Sequence, residues 1–255
     1  MSTACGSKVA VWELKYVPAS PVLSEWARHF REHYCADDEI DLLRKGTPHS
    51  RSEYLQLLKF PDAAKAPGPS IRSGDFAEIL VADYLEYLLN HWVPRTRYSD
   101  KSIRNESTKG CDVIGFQIIE PGKDSKHDKL TILETKAQLT GQKVKNRLQD
   151  AVDDSMKDAA RKADSLNAIK QRLILRQKLG DASKVERFQD PVDRPYSEQL
   201  GAVAVVSTSV FDPQVLAATD ASKHPQHKQM ALVVIHGTDL MSLANELYKR
   251  AADEA

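Results

Sequence analysis

Glu134 and Lys136 stand two residues apart in the segment 129–139 (KLTILETKAQL), whose residues alternate between apolar and polar. Alternation of that kind predicts a strand, and residues two apart on a strand share a face. Ile132 and Gln138 share it with them, while Leu133, Thr135 and Ala137 point the other way. A charged pair inside a buried strand costs several kcal/mol, roughly, unless each charge has a partner. Asp112 begins the preceding apolar segment, joined to this one by a loop of turn residues (PGKDSKHD, 121–128), so a hairpin brings it beside Glu134. Glu78 adds a third carboxylate from a long apolar helix upstream. Three carboxylates and one ammonium suit metal-assisted phosphodiester hydrolysis. Mg2+ takes oxygen ligands, typically one or two carboxylates with waters and substrate phosphate, and a neighbouring lysine orients water and stabilises charge on the phosphate.

The tripeptide acid–x–Lys occurs three times, at Glu13–Lys15, Asp124–Lys126 and Glu134–Lys136, about the number chance gives. Context separates them. Glu13 has no acidic strand before it and Asp124 lies in a loop, whereas Glu134 has a helix with Glu78 and a strand with Asp112 upstream and a basic stretch downstream.

The elements that must position these residues read as follows. Residues 9–17 predict a strand; residues 23–34, 39–45 and 50–60 predict helices, the last opened by a Ser50–Glu53 capping box. Residues 61–70 (PDAAKAPGPS) read as a linker, so residues 1–60 are expected to be an N-terminal appendage, 61–72 a linker and 73–255 the main domain. A helix over 74–91 is apolar nearly all round and should be buried on more than one side. Residues 95–99, 111–120 and 129–139 predict three strands. A long helical stretch over 142–179 follows, closed by Gly180, then two nearly continuous apolar strands at 201–209 and 230–236 and an amphipathic helix over 239–250. The class is α/β, a mixed central sheet flanked by helices.

The chain has 36 basic and 36 acidic residues, a balance that argues at first against a nucleic-acid partner. The balance is uneven along the chain: residues 137–180 carry ten basic against five acidic groups. Lys143, Lys145, Arg147, Arg161 and Lys162 there are candidate DNA or partner contacts, against the plainer reading of a solvated helix face. His29 and His33, with Cys35 nearby, lack a fourth ligand for zinc. Three scattered cysteines, no secretory leader and no apolar run of 18 residues lead to the expectation of a cytoplasmic protein.

Gly110–Cys111–Asp112, Glu134–Thr135–Lys136 and Glu78 together resemble the PD-(D/E)xK nuclease family over roughly residues 73–209, with Cys111 where the family usually has proline. The resemblance implies the restriction-endonuclease-like fold, Mg2+ or Mn2+ as cofactor, Asp112 and Glu134 as metal ligands, and Lys136 as the water-orienting group. It implies Glu78 as an accessory ligand and Gln138 as a group helping to hold the metal's water or the substrate. More narrowly, SGDFAEILVADYLE, GCDVIGF and ILETKAQL resemble the HamA nuclease subunits of Hachiman antiphage defence systems. That resemblance implies DNA as substrate, low sequence specificity and a separately encoded ATP-dependent helicase of the HamB kind as partner. No G-x-x-x-x-G-K-[ST] motif is present, so ATP hydrolysis would belong to another chain. The competing expectation is a nuclease-like fold without activity that binds DNA or regulates a helicase.

Overall fold

A computed structural model describes residues 1–255. Its elements are β1 (Val9–Leu14), α1 (Ser20–Glu32), α2 (Ile40–Leu43), α3 (Arg51–Tyr54, continued as a π-helical turn to Lys59), α4 (Gly68–Asp83, continued likewise to Leu88), β2 (Val113–Gln117) and β3 (Lys129–Gln138). They are followed by α5 (Arg147–Ser155), α6 (Asp158–Leu175), α7 (Leu179–Glu186), β4 (Ser197–Ser207), α8 (Pro213–Ala217), β5 (Ala231–Gly237) and α9 (Leu240–Asp253). One five-stranded sheet runs in the order β1-β5-β4-β3-β2, parallel except for β2, which is antiparallel to β3. The expected α/β class, a mixed sheet flanked by helices, is what the chain adopts.

The apolar runs of β4 and β5 are covered on both faces. Val203 and Val205 with Val233 and Ile235 join the cluster built on α1, α4 and α9, whereas Ala202, Ala204 and Val206 with Leu232 and Val234 join one that includes Leu148 and Val152 of α5. The period of two thus divides each strand between two helical layers. On β3 the same alternation sends Leu133 to the α4 layer, with Phe76 and Ile79, and Ile132 to the α6 layer, with Leu166 and Leu173. Gly115 lets β2 lie tightly against the end of α4: a Cβ there would meet Leu85 Cδ1 at 2.9 Å and His91 Cβ at 3.1 Å.

Four expectations need correction. Residues 1–60 are no appendage: β1 pairs along its length with β5, and Phe30, Tyr34, Leu55 and Phe60 share one cluster with Phe76 and Tyr248. The linker over 61–72 is helical from Gly68, because Pro69 in the first turn has the backbone angle a helix start requires and lacks only a donor the helix would leave unpaired. Residues 95–99 are not a strand; the chain reaches the sheet earlier, through Trp92, whose N–H and C=O bond Phe116 at 2.7 and 2.9 Å. The stretch over 142–179 breaks into α5 and α6, with Gly180 inside α7.

The first correction has a measurable consequence. Leu23, Phe30, Tyr34, Ile40, Leu55 and Phe60 are buried in the shared core, each contributing roughly 1.5–3 kcal/mol, which together matches the roughly 5–15 kcal/mol of a whole domain's stability. A chain beginning at residue 61 is expected to show no cooperative thermal transition by circular dichroism. A sharp melt from that fragment would contradict the shared core.

Candidate active site

The register Val113↔Leu133, continued one step, sets Asp112 opposite Glu134, as the hairpin reading requires. Asp112 Oδ2 accepts the Thr135 amide at 3.0 Å and Oδ1 accepts Arg97 Nη2 at 2.8 Å. Glu134 is buried, its side chain 4% exposed, with Oε1 2.5 Å from Lys136 Nζ. Its Oε2 is buried with no hydrogen-bond partner. Burial first, and the charge of Asp112 second, push the Glu134 carboxyl up to about 7. Lys136 Nζ also reaches Asp154 Oδ2 at 2.8 Å; hydrogen bonds from Lys136 and Lys157 hold the Asp154 carboxyl down at about 2. Lys136 is itself raised: its hydrogen bonds to Asp154 and Glu134 outweigh the opposing cost of burial. It is therefore a fixed cation at neutral pH, suited to orienting water or phosphate.

Glu78 sits in the middle of α4, on the other layer from Glu134. Its Oε2 accepts Arg97 Nε at 2.7 Å and the Tyr98 hydroxyl at 2.6 Å. Burial, opposed by Arg97 and reinforced by Asp112 and Asp75, pushes its carboxyl up to about 8. Arg97 thus bridges Glu78 and Asp112, and it also donates to the Cys111 carbonyl. Gln138 has both amide atoms engaged, Nε2 with the Lys143 carbonyl at 2.8 Å and Oε1 with the Lys145 amide at 3.2 Å. Its observed work is to pin the loop after β3, not to face a ligand.

The basic candidates divide by their partners. Lys143 and Lys145 are exposed on that pinned loop. Arg147 is paired with Asp150 at 2.8 Å and Lys162 with Glu198. Arg161 lines a cleft of about 880 Å³ together with Glu78, Arg97, Lys109, Asp112 and Arg172. Glu134 and Lys136 do not line this cleft, which opens beside Asp112 rather than over β3.

Sequence reading missed Arg97, Asp154 and Asp158. Asp158, in the first turn of α6, is fully buried and neither carboxylate oxygen has a hydrogen-bond partner. The only sequence signal was its place in a run of mixed charges. Open buried oxygens on Glu134 and Asp158 fit a hard cation, whose oxygen ligands need no hydrogen-bond donor. The one group of three metal-ligating residues with donor atoms all within 4.8 Å of one another lies elsewhere, at His29, His33 and Asp83; no three of Glu78, Asp112, Glu134 and Asp158 come that close. Arg95 donates to both His33 and Asp83, so a cation already stands among them, and Cys35 takes no part.

A family model described as HamA matches residues 2–251. The chain belongs to the HamA family. The match includes residues 2–60, in keeping with the pairing of β1 in the sheet and the burial of Phe30, Tyr34, Leu55 and Phe60 in the shared core. HamA membership points to a role in Hachiman antiphage defence. No curated protein matches the sequence. No helix is long and apolar enough to cross a membrane.

Proposed function

We propose that this HamA chain is a Mg2+- or Mn2+-dependent DNA nuclease of the PD-(D/E)xK type, the effector of a Hachiman complex with a separately encoded ATP-dependent helicase. The observation that carries the reading is the buried Glu134 carboxylate, one oxygen open, beside a Lys136 kept charged by two carboxylates. A bound divalent cation supplies Lewis-acid polarisation of the phosphate and an acidified water. Asp112 and Glu134 would hold that cation by their oxygens. Lys136, its Nζ fixed between Glu134 and Asp154, offers positive charge to a phosphate oxygen or to the attacking water. Lys143, Lys145 and Arg161 supply phosphate contacts beside it. Three free cysteines accord with a reducing, cytoplasmic setting.

A second reading, a nuclease fold that only binds DNA or restrains a helicase, draws support from Arg97, whose guanidinium occupies oxygens of both Glu78 and Asp112. The two readings separate in one experiment. The chain is expected to co-purify with a helicase encoded beside it and to cleave DNA only when Mg2+ or Mn2+ is present, with ATP changing the rate in the complex. An RNA substrate in the same assay tests the choice of nucleic acid. Stable complex formation without cleavage of either, in any metal or nucleotide condition, would favour the non-catalytic reading.

A further inference from the structure

We propose that the open edge of β1, with the aromatic groove beside it, is where the partner chain docks, by adding an extended segment to the sheet and seating a lysine or arginine side chain in the groove. The inference rests on the partnered reading above and names the surface through which that partner is held.

The edge follows from the ladder. β1 ends the sheet, with β5 on one side and no strand on the other. At its start Val9 turns outward: its N–H donates to the Met1 carbonyl at 2.8 Å, and its carbonyl accepts the Met1 amino group at 3.1 Å. Backbone groups of alternate residues on a strand point to the same side. Those of Val11 and Glu13 therefore point outward as well, beyond the short pairing of the first residues with β1. A row of unpaired backbone donors and acceptors is a template for another strand.

The groove, of about 450 Å³, runs between β1, α1 and the end of α4. Four aromatic side chains line it: Trp12 of β1, Trp26 of α1, and Tyr84 and Tyr87 of the π-helical turn that ends α4. Trp12 is 43% and Tyr87 64% exposed, large rings left in water at the rim of an apolar groove. Charge decides what the groove takes. Glu13 and Asp83 line it, and no lysine or arginine does. Asp83 and Glu86 share the guanidinium of Arg95, two carboxylates to one cation. Glu13 pairs only with Lys15, at 3.0 Å and in solvent, where such a pair contributes little. Aromatic faces attract cations, and a lysine or arginine lays its methylenes on apolar surface while its head reaches an acid. A strand along Val11–Glu13 brings alternate side chains over the groove, so main-chain bonds supply affinity and the groove supplies selection. A second copy, meeting this one across a two-fold axis, would bring the same acidic groove against itself.

Amide exchange read by mass spectrometry, on the chain alone and in complex with the helicase proposed as its partner, tests the surface. Segments 11–15 and 84–88 are expected to become protected together in the complex. Two variants test the contacts. Val11→Pro removes one outward N–H and leaves the ladder with β5 intact. Tyr87→Lys sets a cation at the mouth of the groove. Each is expected to weaken the complex by about 10-fold or more, with folding established by thermal melting in circular dichroism. Val192→Lys, the same charge on an exposed apolar residue after α7, is expected to bind as the parent does. Should Val11→Pro fail to fold, Tyr87→Lys and the exchange data decide alone. Unchanged affinity in the folded variants, with protection elsewhere, would overturn the proposal and leave the partnership standing. Protection of 84–88 without 11–15 would overturn strand addition. A chain that self-associates, and that Val11→Pro makes monomeric, would give the edge to a second copy instead. No complex between the unaltered chain and the helicase is a different outcome: it would overturn the partnered reading itself.

Discussion

Arg97→Met is expected to destabilise the protein by about 3–5 kcal/mol, the cost of breaking a buried ion pair by removing one partner. Arg97 holds Glu78 and Asp112 at 2.7 and 2.8 Å and donates to the Cys111 carbonyl just before β2. Methionine fills the space but satisfies none of these acceptors. The loss has a definite pH dependence. Glu78, raised to about 8 by burial against the opposing charge of Arg97, titrates higher still in the folded chain without the guanidinium. An acid raised on folding contributes stability that is present at low pH and lost as pH rises through its folded pKa. The deficit of Arg97→Met should therefore be larger at pH 8 than at pH 5. Urea unfolding at the two pH values measures it, and adding Glu78→Gln should recover part of the loss. A deficit below about 1 kcal/mol, or one independent of pH, would show that Arg97 is not the counter-ion of this pair.

Glu134→Gln is expected to have opposite effects on chemistry and on stability. Cleavage should fall by at least about 10²-fold, the range seen when one group that stabilises developing charge is removed. In metal-free buffer the stability should not fall at alkaline pH. Glu134, raised to about 7 by burial and by Asp112, makes the parent lose stability as pH rises through neutrality. Glutamine removes that slope, while Lys136 keeps Asp154. At pH 5, where the acid is largely protonated, parent and variant should melt alike. A residue conserving only the fold would instead lose stability at every pH.

The placement of Asp112 opposite Glu134, with Lys136 beside it, was legible in the sequence, and the reason is local. The period of two along a strand over 129–139 puts Glu134 and Lys136 on one face, and one short loop suffices to set Asp112 opposite Glu134. What escaped depends on distance or on irregular backbone. The place of β1 is set by pairing with β5, more than 200 residues away, so a Pro-rich stretch at 61–70 looked like a boundary. Arg97 lies in a wrapping segment whose composition resembles a strand; its role is visible only through the two carboxylates it joins. Asp158 was hidden by the helix break after α5, which turns a residue in a run of mixed charges into a buried first-turn acid. Glu78, read as an accessory ligand from the motif, has one oxygen held by Arg97 and Tyr98, contacts that no local pattern announces.

The most direct test of the central claim is cleavage of supercoiled plasmid DNA by the chain, alone and with the helicase proposed as its partner. Parent and Glu134→Gln proteins are compared in Mg2+ and in EDTA. The expected result is nicked or linear DNA from the parent in Mg2+ and intact plasmid in the other three conditions. Equal cleavage by the parent and Glu134→Gln, or cleavage by the parent that persists in EDTA, would contradict it.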